Sequence, residues 1–167
     1  ISFLASDAYP QSITEGMSFA ASLTSAGVDV TIVAETLAMG ANMTYSAADG
    51  SIFDGIVVAD GVQGLFSVMS FTTQPYNTTD IPKTVFPYSS LFPAGRPLQI
   101  LVDAFKYGKT IGAIGTGAAA LTTADIPMTR PGVYVTNSTS TSTTFIDQIK
   151  SGLYTFKFLD RFALDSN

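Results

Sequence analysis

Thr110-Ile111-Gly112-Ala113-Ile114-Gly115-Thr116-Gly117-Ala118-Ala119-Ala120-Leu121 is the stretch that decides the fold. Branched and small apolar residues run to Ile114, two glycines bracket Thr116, and an alanine-rich helix begins at once. A strand therefore feeds straight into a helix. Just upstream, Arg96–Tyr107 carries Leu98, Leu101, Val102 and Phe105 on one face of an amphipathic helix. Helix, strand and helix in succession are the parts of a parallel sheet with right-handed crossovers.

The same alternation extends to both ends. Ile1–Ala5 reads as a strand, and Val28–Ala34, Ile56–Ala59 and Gly132–Val135 as further strands around Thr110–Ile114. The unbroken apolar run at Ile56–Ala59 suits a strand covered on both faces. Ser12-Ile13-Thr14-Glu15 has capping-box spacing and predicts a helix start, with Ile13, Met17, Ala20, Ala21 and Leu23 as its apolar face and Gly27 ending it. A closing helix is expected from about Thr143, carrying Phe145, Ile146, Ile149, Leu153 and Phe156 inward. Between Leu37 and Asp54, Ala48-Asp49-Gly50 reads as a hairpin-like turn. The expectation is one α/β domain over residues 1–167: a three-layer, flavodoxin-like sandwich with a mostly parallel five-stranded sheet in the order 2-1-3-4-5. The segment Phe71–Ala94 differs in kind, because four prolines interrupt it while Phe71, Tyr76, Phe86, Tyr88 and Phe92 seek burial. It reads as a long ordered loop whose aromatics either pack over the sheet edge or meet a partner or client chain.

Composition narrows the chemistry. The chain has no His and no Cys, which removes the commonest general base, the commonest metal-ligating side chains and the thiol nucleophile. Apolar residues make up 46% and charged residues 13%, so a well-filled interior is expected. A net charge of −5 and scattered cations argue against nucleic acid and anionic membranes as partners. Three sequons, at Asn42, Asn77 and Asn137, fall in segments read as loops and point to a secreted or cell-wall glycoprotein. The chain opens at Ile1 inside an apolar run and without Met, as expected of a piece of something longer.

The strand-to-helix bend at Gly115-Thr116-Gly117 is the sharpest site candidate, since helix amides there face the carboxyl edge of the sheet. Gly115-x-Gly117-x-x-Ala120 loosely matches a dinucleotide fingerprint, but it follows the fourth strand and no acidic residue ends a strand about 20 residues later. Small residues that let helix and strand approach closely explain the same pattern. Asp7, Asp49, Asp54 and Asp60 fit no calcium-loop spacing and read as turn or cap residues, leaving no metal assigned. Thr116 has no base or terminal amine near it in sequence to make it a nucleophile.

Ala94-Gly95-Arg96-Pro97-Leu98 and Val102-Asp103-Ala104-Phe105-Lys106-Tyr107-Gly108-Lys109 leading into Thr110–Gly115 resemble the C-terminal domain of large-subunit fungal catalases. Asp49-Gly50-Ser51-Ile52-Phe53-Asp54 before Ile56-Val57-Val58 is similar to the same branch, and Ser25-Ala26-Gly27-Val28-Asp29-Val30 to the wider class I glutamine-amidotransferase-like superfamily. In active members of that superfamily a cysteine occupies the bend. The resemblance lays that position on Gly115, the following residue on Thr116 and the acidic partner on Glu15. It implies a vestigial elbow without catalytic residues, with Glu15 kept as a helix cap. It further implies a parent that decomposes hydrogen peroxide with haem in its core, no cofactor in this domain, and packing against the catalase core and sister subunits of a homotetramer. Unfolded client chains are a second expected partner. A residual glyoxalase or hydrolase, or a small-ligand module at Gly115, is the alternative.

Overall fold

The computed structural model describes residues 1–66, 91–93, 95–137 and 139–161. Within them, β1 (Ser2–Leu4), α1 (Pro10–Thr24), β2 (Thr31–Ala34), β3 (Met43–Thr44), β4 (Gly55–Val58), α2 (Arg96–Lys106), β5 (Thr110–Ile114), α3 (Ala118–Thr123), β6 (Val133–Thr136) and α4 (Thr143–Thr155) follow one another along the chain. All neighbouring strands pair in parallel, and the sheet runs β3-β2-β1-β4-β5-β6. The five expected strands take the expected order. A sixth, β3, is added at one outer edge.

Every residue of β4 and β5 is buried, as their unbroken apolar sequences require when helices cover both faces. On one face α1 and α4 meet over the sheet: the Phe19 ring lies 5.3 Å from Phe3 and 6.3 Å from Phe145. On the other, α2 lies along β4 and β5 and touches α3. The result is a three-layer α/β/α sandwich. The exposed side of α1 carries hydroxyls in place of charges: Thr14, Ser18, Ser22 and Thr24 each donate to the carbonyl four residues earlier.

Several local expectations are corrected. Helix α1 starts at Pro10, with Tyr9 as N-cap and no side-chain cap bond, so Ser12-Ile13-Thr14-Glu15 is not a capping box. Proline at the first helical position is pre-set for the turn and loses no needed donor. Ser12 instead donates to the Tyr9 carbonyl at 2.7 Å and accepts the Ser6 amide at 2.9 Å. Phe19, not Met17, fills the core face; Met17 is 47% exposed. Ala48-Asp49-Gly50 turns through an Asp49 Oδ1 bond to the Ser51 amide, but no hairpin forms, because β3 and β4 are not sheet neighbours. Phe156 ends α4 with φ +64 and points outward, 61% exposed, contrary to its expected inward place.

Candidate functional site at the carboxyl edge of the sheet

Strand β5 ends at Ile114, and Gly115 takes φ +53, a left-handed value that turns the chain into a single 3-10 turn, Gly115–Gly117, ahead of α3. The tight bend also brings Gly117 onto β4: a Cβ there would run into the Ala59 carbonyl oxygen. Close approach therefore accounts for the glycine spacing that loosely resembled a dinucleotide loop.

Asp60, directly beyond β4, closes over this bend. Its Oδ1 accepts the Thr116 amide at 2.8 Å and the Thr116 hydroxyl at 2.6 Å. In return, the Gly61 amide donates to Thr116 Oγ1 at 2.9 Å. These bonds, the Thr116 hydroxyl first, hold the Asp60 carboxyl below the usual carboxylate range. A Cβ built on Gly115 would lie 2.5 Å from Asp60 Oδ1. The carboxylate thus stands where a side chain at the bend would begin.

Glu15 lies on the second turn of α1 and reaches the same loop, its Oε2 accepting the Asp60 amide at 3.3 Å. Its expected capping task is corrected accordingly: it faces the bend, not its own helix start. Partial burial raises its pKa, and the Asp60 amide offsets this in part. Tyr9, Gln11, Ser12, Glu15, Asp60 and Gly61 line an open cleft of about 430 Å³ beside it. Chemically this arrangement is a lock between two loops. Gly115 brings no reacting atom, and the Thr116 hydroxyl donates to a carboxylate that is a weaker base than usual.

Sequence reading missed a second carboxylate pair on this edge. Glu35, just past β2 and 2% exposed, accepts the Ser6 hydroxyl at 2.6 Å and the Asp7 amide at 2.7 Å. Asp7 accepts the Thr36 amide and hydroxyl at 2.8 and 2.5 Å. Burial raises the pKa of Glu35. The signal was available: a carboxylate directly after a buried strand has helix and loop amides to accept.

Among the aromatics expected to form a partner surface, Phe92 is buried, its ring 5.3 Å from that of Tyr45. That is a correction, in favour of self-packing. Phe71, Tyr76, Phe86 and Tyr88 lie outside the described residues, as does Asn77. Asn42 and Asn137 are exposed. The four aspartates take separate tasks: Asp7 and Asp60 bind loops, Asp49 turns the chain and pairs with Arg96 at 3.7 Å, and Asp54 is exposed ahead of β4. Haem does not fit the donors of this edge. The cleft is lined by carboxylates, and the fully buried phenol among the described residues, Tyr45, donates to the Ala5 carbonyl at 2.7 Å.

Comparison with known proteins places this geometry. Catalase B of Aspergillus oryzae is 49% identical over 165 residues, which cover 99% of this chain and 21% of that protein. Catalase B of Aspergillus fumigatus is 46% identical over 99% of this chain and 22% of its own length. Catalase-3 of Neurospora crassa is 38% identical over 84% of this chain and 17% of its own. The chain thus spans about a fifth of the length of the curated relatives it matches. The model of the C-terminal domain found in long catalases matches residues 1–163, and the chain, with its parallel sheet and glycine bend, belongs to that family.

Proposed function

We propose that this domain is a non-catalytic appendage of a haem catalase that decomposes hydrogen peroxide, and that it stabilises the parent by packing on the catalase core and sister subunits of a homotetramer. One observation carries the reading: across a family match spanning residues 1–163, the bend that could present a reacting side chain holds Gly115, with the Asp60 carboxylate over it. Haem and peroxide turnover belong, on this reading, to the preceding part of the polypeptide. The opposite, amino edge of the sheet supports the packing role, since Tyr107, Tyr154, Phe156 and Leu159 stand 50–85% exposed there. Secretion is supported by the exposure of Asn42 and Asn137 within their sequons.

The test is a full-length parent compared with one truncated before Ile1. Truncation is expected to leave turnover per haem unchanged and to lower the thermal midpoint and weaken the tetramer. Loss of turnover per haem in an intact tetramer would overturn the reading. Aggregation-suppressing binding of clients, which loses Phe92 as a contact, is checked with a heat-labile client. No suppression by the full-length protein at equimolar ratio removes that role.

A further inference from the structure

The thioether of Met17 leaves the core face of α1 and lies over a neighbouring loop. Its Cε sits so close to Gly40 that a Cβ built on that glycine would lie 2.8 Å from it. Gly40 has φ +96, a left-handed value that favours glycine. The residue before it is a second methionine, Met39, 49% exposed and so as open as Met17. Two accessible thioethers therefore stand beside one glycine. The loop they share is fastened at both ends. At one end Asp7 Oδ2 accepts the Thr36 amide and hydroxyl; at the other, the Asn42 amide donates to the Ile32 carbonyl at 2.8 Å and Asn42 Oδ1 accepts the Ile32 amide at 2.9 Å. Between them the Gly40 amide closes a turn onto the Leu37 carbonyl at 3.2 Å, and residues 37–40 are all exposed. The Met17 methyl over Gly40 ties this turn to α1.

A thioether is a nucleophile toward peroxides. The sulfur lone pair takes one peroxide oxygen as the O–O bond breaks. A sulfoxide forms, and the other oxygen leaves as water or, from an alkyl hydroperoxide, as the alcohol. Sulfur is oxidised by two electrons and the peroxide is reduced by two. The product is polar and chiral, so an apolar methyl contact gives way to an S=O dipole that seeks water. Two other methionines serve as internal references. Met43, on β3, is half-buried and packs against the core. Met128 is exposed in the loop that leads to β6, at the opposite end of the sheet from β3.

We propose that Met17 and Met39 form a peroxide-oxidised thioether site, and that the Met17 sulfoxide releases the turn at residues 37–40 from α1. The natural supply of peroxide rests on the catalase reading above; the reactivity of the site does not. The experiment treats the full-length protein with tert-butyl hydroperoxide. Peptide mass spectrometry reads the sulfoxide at each methionine, and hydrogen exchange reads the turn. Met17 and Met39 are expected to oxidise about fivefold faster than Met43. Exchange in the peptide covering residues 37–41 is expected to rise about threefold, in step with the Met17 sulfoxide. Met17→Leu keeps an apolar cap over Gly40 without an oxidisable sulfur, and its turn should hold the untreated rate after the same exposure. Met128→Leu should leave the rise unchanged. Met17 sulfoxide forming no faster than that of Met43 overturns the site. Faster oxidation with unaltered exchange, or an equal rise in Met17→Leu, overturns the release. Hydrogen peroxide supplied continuously is expected to give the same two sulfoxides, and their absence overturns the link to that oxidant. A full-length protein without peroxide turnover refutes the catalase reading and leaves the hydroperoxide result standing.

Discussion

The two ends of the sheet are built with opposite chemistry. At the carboxyl edge, carboxylates gather backbone amides: Asp60 takes that of Thr116, Glu15 that of Asp60, Glu35 that of Asp7 and Asp7 that of Thr36. At the amino edge, cations gather backbone carbonyls. Lys109 Nζ donates to the Ser51 and Phe53 oxygens, and the Arg161 guanidinium to those of Pro131, Lys109 and Phe105. The cause lies in the direction of the chain. Where strands and helices alternate in a parallel sheet, the chain leaves the carboxyl edge toward a helix start, with spare N–H groups, and reaches the amino edge from a helix end, with spare C=O groups; here the loops joining β2 to β3 and β3 to β4 add their own unpaired groups to both edges. An edge's unpaired backbone groups select the charge that settles there.

The amino edge should be the costlier to disturb. Arg161 is 7% exposed, lies between the Phe105 and Phe158 rings with centroid distances of 4.7 and 5.0 Å, and has its pKa lowered to about 10 by burial. Arg161→Ala removes the donors to the Pro131 and Lys109 carbonyls, while the Phe105 carbonyl keeps the Gly108 amide, and is expected to cost about 3–5 kcal/mol in denaturant unfolding. Arg161→Lys should recover part of that loss. Equal midpoints for Arg161→Ala and wild type would break the comparison at its strongest point.

At the other edge, Asp60→Ala frees the Thr116 amide, near solvent, and leaves the Thr116 hydroxyl to the Gln63 Oε1 at 2.9 Å, and a loss of about 1–2 kcal/mol is expected. Gly115→Ala should cost about 1–2 kcal/mol, because a Cβ must accept a positive φ and meet Asp60. Combining the two separates these causes. If the Asp60 contact matters, the double variant will be more stable than the sum of the single losses predicts; strict additivity would leave backbone strain alone.

The smallest effect is expected from Glu15→Gln. The folded-state pKa of Glu15 is raised above its ordinary 4.5, so the fold favours the neutral carboxyl, and its contribution is full below that value and lost as pH rises through the raised one. Asp60, held below 3.8, behaves oppositely and loses its contribution as pH falls. Glutamine keeps an acceptor for the Asp60 amide without the charge. The variant should therefore gain stability relative to wild type as pH rises from about 4.5 through the raised value, by a few tenths of a kcal/mol. A constant difference over that range would assign Glu15 no titration-linked role.

What could be read ahead of the structure follows from how local each signal is. Strand β5 and the bend at Gly115 were legible to the residue, because a buried strand, a glycine turn and an alanine helix are each written in consecutive positions. The start of α4 was equally plain. Strand β3 was not, since two half-buried residues have no periodicity to detect. The helix start at Pro10 was obscured by a capping-box spacing that local sequence permits and the Ser6 turn overrules. Within the site, Glu15 and Thr116 were singled out, yet Asp60 was set aside as a turn residue, because its partner lies 56 positions away. Phe156 was misplaced for a backbone reason: a helical wheel assumes the helix continues, and φ +64 ends it there.

The ring-sandwiched guanidinium has a practical corollary for anyone shortening this polypeptide. Trimming from the C-terminus should not reach residue 161, because removing Arg161 also releases the Pro131 turn and the end of α2. A fusion or affinity tag belongs beyond that residue, and a cut one position earlier trades a tidy boundary for a loosened domain.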